Sequence, residues 1–114
     1  MILNDLAELD RENLYVLHLD SKNHPVALQR SSIGTETASF ASPPSIFRAA
    51  LHTGATRVIL VHNHPSGDPA MSEEDLRVAR QIEEAGSSIG IQLLDFLVVG
   101  SDGEYSSARD MGVM

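Results

Sequence analysis

The chain has 114 residues, 42% of them hydrophobic and 21% charged, which is the size and composition of one compact globular domain over 1-114 rather than two. It contains no cysteine, which excludes disulfides, cysteine nucleophiles, zinc sites built on thiolates, and the zinc deaminases, whose metal needs cysteine ligands. Sixteen acidic residues against eight basic ones give a net charge of -8; the basic residues are scattered, and such a surface repels duplex DNA on average, so direct DNA binding by this domain is not expected.

Met1 to Asp10 carries Ile2, Leu3, Leu6 and Leu9 at helical spacing, which predicts a brief helix or frayed lead-in. No apolar run approaches membrane-spanning length and no signal-peptide pattern opens the chain, so a cytoplasmic protein with no membrane association is expected. Glu12 to Asp20 reads as a strand covered on both faces, because Leu14-Tyr15-Val16-Leu17 is apolar throughout. Ser21-Lys22-Asn23-His24 is a turn and Val26-Ala27-Leu28 begins a returning strand, together a hairpin. Thr35 to Phe40 suggests one more strand. Ser42-Pro43-Pro44 opens a helix with a serine cap and proline in the first turn; Ile46, Phe47, Ala50 and Leu51 form its inward stripe, and Gly54 ends it.

Arg57-Val58-Ile59-Leu60-Val61 is the most apolar short run and predicts a buried strand. His62 and His64 follow at its end, two residues apart, so extended backbone projects both imidazoles to one side. Asn63 then points the other way. Pro65 to Pro69 turn the chain, with Asp68 as a turn former. Ser72 opens a helix running to about Ala85 and ending at Gly86. Val78, Ala79, Ile82 and Gly86 follow Asp75 on its inward stripe, where a carboxylate is costly without a partner. Ser72-Glu73-Glu74-Asp75 is also a capping box with aspartate in the place of the usual glutamate, and a histidine at a strand end is commonly a satisfied polar group. Taken together, two imidazoles and one carboxylate with a fourth position open match the way a catalytic zinc is held. Ile91 to Val99 is a further strand, Asp102-Gly103 a hairpin turn, and Tyr105 starts a short last strand. Asp95, an acid inside an apolar strand, needs a hydrogen-bond partner if buried. His18, His24 and His52 lack ligand spacing to the central pair. Strands alternating with helices predict an α/β fold with a mixed sheet.

His62-x-His64, seven residues, then Ser72-x-x-Asp75 resembles the JAMM signature of JAB/MPN metallohydrolases. The string His62-Asn63-His64-Pro65-Ser66-Gly67-Asp68-Pro69 is similar to the RadC-type branch, and the likeness continues through Leu93 to Gly100. Phe96 stands where many RadC-type sequences carry histidine. The resemblance implies an MPN/JAB1-like (cytidine-deaminase-like) α/β fold, a mixed β-sheet sandwiched by helices. It implies one zinc ion (Zn2+) per chain on His62, His64 and Asp75, and an isopeptide or amide bond of a protein or peptide as substrate. It further implies that Ser72 donates a hydrogen bond to the oxyanion and that Glu12, directly before the first strand, is the catalytic base, with Glu8 as the neighbouring alternative. RadC-type proteins are associated with DNA repair, and longer members carry an N-terminal helix-hairpin-helix region for which this length leaves no room. The rival expectation is a non-catalytic MPN-like scaffold or DNA-repair accessory module that keeps a metal for stability. The sequence carries no sign of the oligomeric state.

Overall fold

The computed structural model describes residues 13–30, 43–64 and 66–114. The predicted N-terminal helix, the predicted Thr35 to Phe40 strand, the Ser42 cap, Glu8 and Glu12 lie outside these residues. Within them the chain forms β1 (Leu14–Leu19), β2 (Pro25–Arg30), α1 (Pro43–Thr53), β3 (Arg57–Asn63), α2 (Glu73–Ile89), β4 (Gln92–Val99) and β5 (Tyr105–Ser107). The five strands make one mixed sheet in the order β2-β1-β3-β4-β5. β1 is antiparallel to both β2 and β3, β3 and β4 are parallel, and β4 and β5 are antiparallel. This is a mixed α/β architecture, as the alternation of strands and helices in the sequence predicts. No described helix is long and apolar enough to cross a membrane.

Two turns follow from residues that tolerate a left-handed backbone. Asn23 (φ 66°) closes the β1–β2 hairpin, where the Asp20 carboxylate accepts from the amides of Lys22 and His24 at 2.8 and 2.9 Å. Asp102 and Gly103 (φ 57° and 77°) close β4–β5. Positive φ at both central residues gives a turn whose twist matches that of the paired strands.

Alternation along the strands decides which face meets the helices. Leu14 and Val16 pair with His62 and Leu60 across β1–β3, and Leu60 and His62 pair with Phe96 and Val98 across β3–β4. Leu14, Val16, Leu60, Phe96 and Val98 join Ile46, Phe47 and Ala50 of α1 and Val78, Ala79 and Ile82 of α2 in one core cluster. Both described helices therefore cover the same sheet face, and His62 belongs to that face. On the opposite face Val61 and Val99 are buried among the partly buried Tyr15, Ile59 and Leu97. Leu51, expected on the inward stripe of α1, is 64% exposed; the buried stripe is Ile46, Phe47 and Ala50 alone.

α2 is a turn longer than its sequence suggests. Gly86 does not end it; the helix runs on to Ile89 and closes at Gly90, whose φ of 78° is left-handed. The reason is packing. A Cβ on Gly86 would strike the Ile91 carbonyl oxygen and lie 3.2 Å from the Phe47 ring, so glycine here lets α2 approach α1 and the start of β4. The amides of Gly90 and Ile91 both return to the Gly86 carbonyl, which satisfies the end of the helix.

Asp95 finds partners at the end of β5 and in the segment after it. Its Oδ1 accepts from the Arg109 amide at 3.0 Å and its Oδ2 from Ser107 Oγ at 2.5 Å, while Arg109 Nε donates to Leu94 O at 2.7 Å. It ties β5 and the residues beyond it to β4.

Gly86→Ala tests the α1–α2 contact. In an open helix the change would gain about 1 kcal/mol of propensity. Here overpacking should outweigh it, for a net loss of about 1–3 kcal/mol, read as a lower urea midpoint at an unchanged slope. A midpoint at or above that of the wild type would mean that Phe47 and Ile91 give way freely.

Candidate metal centre

β3 and β4 are parallel, and the crevice beyond the carboxyl end of a parallel strand is where α/β sheets bind ligands. His62 is the penultimate residue of β3, on the helix-facing side, and only 3% exposed. His64 follows the strand; its amide donates to Val99 O at 3.0 Å, which carries the β3–β4 pairing one residue further. Asn63, between them, faces away as alternation predicts. Its Oδ1 accepts from the Asn13 amide at 2.6 Å, and Asn13 Oδ1 in turn accepts from Nε and Nη2 of Arg30 at 3.0 and 2.7 Å. The ends of β1, β2 and β3 are thereby joined beside the histidines.

The third member comes from α2. Ser72 caps the helix with extended backbone (φ -80°, ψ 166°). Its Oγ accepts from the Asp75 amide at 3.0 Å, and Asp75 Oδ2 accepts from the Ser72 amide at 2.9 Å. This reciprocal box satisfies two of the unpaired amides of the first turn. The same carboxylate faces both imidazoles. Asp75 Oδ1 lies 2.8 Å from His62 Nδ1, and Oδ2 lies 3.1 Å from His64 Nε2. The rings meet edge to face at 89°, with centroids 4.9 Å apart. His64 Nδ1 is 2.9 Å from the carbonyl oxygen of Asp68, whose side chain closes the turn by accepting from the Ala70 amide at 2.9 Å.

The donor set suits a cation. Asp75 is 3% exposed, and a buried carboxylate is stable only with positive charge or donors around it. Burial pushes the Asp75 carboxyl up; hydrogen bonds from His62, His64 and the Ser72 amide, with the charge of His62, more than reverse that and hold it well below the usual carboxylate range. Oxygen acceptors stand at both ring nitrogens of His64, an arrangement that favours positive charge at this place. One ligand atom from each of His62, His64 and Asp75 lies within 4.8 Å of the other two. Atoms bound to one tetrahedral zinc stand roughly 3.3 Å apart, so small side-chain rotations suffice for convergence. The three residues could therefore bind a metal ion. The other described histidines stay apart from them. His18 is buried against Gln29 and Thr53, His24 pairs with Asp20 in the turn, and His52 lies in the last turn of α1. Ser72 stands where the motif puts it, whereas Glu12 lies outside the described residues; Asn13, the next residue in the chain, is the one bonded to Asn63.

The RadC-like JAB domain family matches residues 1–113. The chain belongs to that family. It is similar to a UPF0758 protein of Desulforamulus reducens, with 40% identity over 114 residues that make up all of this chain and 50% of the relative. It is also similar to a UPF0758 protein of Symbiobacterium thermophilum, with 44% identity over 96% of this chain and 46% of the relative. A third, from Moorella thermoacetica, is 38% identical over all of this chain and 49% of its own length. The chain thus spans about half the length of these relatives. In this RadC-like JAB domain the two sequence elements of the JAMM pattern, His-x-His and Ser-x-x-Asp, meet in one buried group. The Asp68 carbonyl and the Arg30–Asn13–Asn63 chain are site features that the sequence did not reveal, since a backbone acceptor has no side-chain signal and an asparagine pair 50 residues apart has no local one.

Because the Asp75 carboxyl is held below its unfolded value, about 3.9, its ionised form favours the native state at neutral pH, and this contribution is lost as pH falls below about 4. Urea midpoints of metal-free protein should drop as pH falls below that value. Asp75→Asn should start from a lower neutral-pH midpoint and fall less steeply; parallel acid profiles for the two proteins would remove Asp75 as the linked group.

Proposed function

We propose that this domain is a zinc-dependent hydrolase of amide or isopeptide bonds, acting on a protein or peptide, with one zinc per chain. The observation that carries the reading is the shared Asp75 carboxylate, which turns both imidazoles toward one point and caps the helix that presents Ser72. Membership of the JAB family, which includes metalloisopeptidases, supports it.

His62, His64 and Asp75 would hold the ion. Bound there, zinc makes a water nucleophilic near neutral pH and polarises a carbonyl oxygen. Glu12 takes the proton of the attacking water and passes it to the leaving amine. Its chain neighbour supports this role: the Asn13 amide is bonded to Asn63, the residue between the two histidines. Ser72 uses one lone pair of its hydroxyl to accept from the Asp75 amide, and that cap does not need its proton. The hydroxyl is thus able to donate to the oxyanion while it caps the helix. The amino end of α2 adds positive potential at the same place. Any link to DNA repair comes from an attached segment, a partner or the family name alone, and not from contact of this domain with duplex DNA.

Two experiments test the proposal. Glu12→Gln should keep the fold and the metal and lose about 10²–10⁴-fold in rate or more, since the amide preserves size but takes no proton. Asp75→Ala should lose metal and activity together. With a panel of isopeptide-linked and linear peptides, equal rates for wild type and metal-loaded Glu12→Gln would pass the role of base to Glu8, and a wild type that binds zinc and cleaves nothing would favour a scaffold. Separately, titration with labelled duplex at moderate salt should give weak or no binding. Tight binding that fades steeply with salt would reveal a basic surface at odds with the net charge of -8.

A further inference from the structure

The loop between His64 and Ser72 is held from outside by the β4–β5 hairpin. The Ser101 amide donates to Gly67 O at 3.0 Å, and Ser106 Oγ donates to Pro69 O at 2.6 Å. Gly100 is packed so closely that a Cβ there would strike Gly67 O and stand 2.9 Å from both N and Cδ of Pro69. These contacts bracket Asp68, whose carbonyl faces His64 Nδ1 at 2.9 Å. The Asp68–Pro69 peptide has no N–H of its own, so it offers His64 an acceptor and nothing else. Gly100 packs against it at Pro69 N and Cδ, and the next peptide is tethered through Pro69 O to Ser106.

We infer that Ser106 is a positioning residue for the metal centre: through Pro69 it fixes the Asp68 carbonyl, and through that carbonyl it fixes the ring of His64. This rests on the reading of His62, His64 and Asp75 as metal ligands. Ser106 itself reaches no ligand side chain in any of its described hydrogen bonds. A histidine that binds metal through one ring nitrogen is oriented by what the other nitrogen meets, and loss of such a partner typically weakens binding about 10–100-fold. Here the partner is a backbone carbonyl, and no substitution at Asp68 removes it. Control therefore lies with whatever holds the loop on either side of that carbonyl, and Ser106 makes the shortest hydrogen bond to it, at Pro69 O.

The test is zinc affinity by competition with a chromogenic chelator, alongside the thermal midpoint of the metal-free protein, for the full chain and its variants. Ser106→Ala should weaken zinc binding about 10–100-fold with little change in the metal-free midpoint. Ser106→Thr, which keeps the hydroxyl, should restore most of the affinity, and Gly100→Ala, which displaces the same peptide by steric contact, should weaken it. If Ser106→Ala fails to fold, Ser106→Cys, a weak donor, carries the same expectation. Wild-type affinity in Ser106→Ala, beside a clear loss in His64→Ala, would overturn the positioning role and leave the ligand assignment standing. Equal losses in Ser106→Ala and Ser106→Thr would assign the effect to packing and overturn it as well. Unchanged affinity in His64→Ala would overturn the ligand assignment and the positioning role with it.

Discussion

The structure depends on one buried anion. The Asp75 carboxylate sits among donors from a strand end, a loop and the helix that carries it. An aspartate is one methylene shorter than the glutamate usual at the third helical position of a capping box, and here Oδ2 serves the Ser72 amide and His64 at once. Helix start and ligand set are therefore one object. A metal ion that binds the folded group and not the unfolded chain would stabilise the protein by mass action, about 2.7 kcal/mol at a hundredfold excess over the dissociation constant, and the first turn of α2 would gain order with it.

The remaining elements hold that group in register. The parallel β3–β4 pair opens the crevice, α2 crosses back to make the pair parallel, and the β4–β5 hairpin backs the loop between them. The Arg30–Asn13–Asn63 chain brings the entry to β1 against the far side of the same crevice. Each contact joins a polar group near the site to one that would otherwise lose its water on folding, which is why so irregular a region leaves no buried side-chain nitrogen or oxygen unpaired among the described residues.

Much of this was legible in the residues. His62 and His64 declare themselves by strand alternation, and Asp75 by its place on the apolar stripe of Val78, Ala79 and Ile82. Both signals come from a regular period, which is what a sequence reports well. Gly86 misleads because a glycine near the end of a helical pattern serves equally as a stop or as a place of close approach, and only the position of Phe47 decides. Leu51 misleads because an i, i+4 pattern does not say how wide the buried stripe is. Asp95 could not be read because its partners, Ser107 and Arg109, lie 12 and 14 residues downstream beyond a turn. The Asp68 carbonyl left no trace, since every residue has one. Glu12 lies outside the described residues, and the role proposed for it rests on the sequence and on the placing of Asn13.

The two halves of the crevice differ in how much chain they enclose. Asp75 meets His62 across 13 residues, whereas Asn13 meets Asn63 across 50. That is about two doublings of loop length, roughly 1 kcal/mol of additional closure entropy, and it also requires β1 to find its place beside β3. During folding the His62–Asp75 contact is within reach as soon as β3 and the start of α2 are formed, while the Asn13–Asn63 edge waits for the sheet. The group that could bind a metal is therefore more local than the edge beside it, and it is able to assemble before β1 docks.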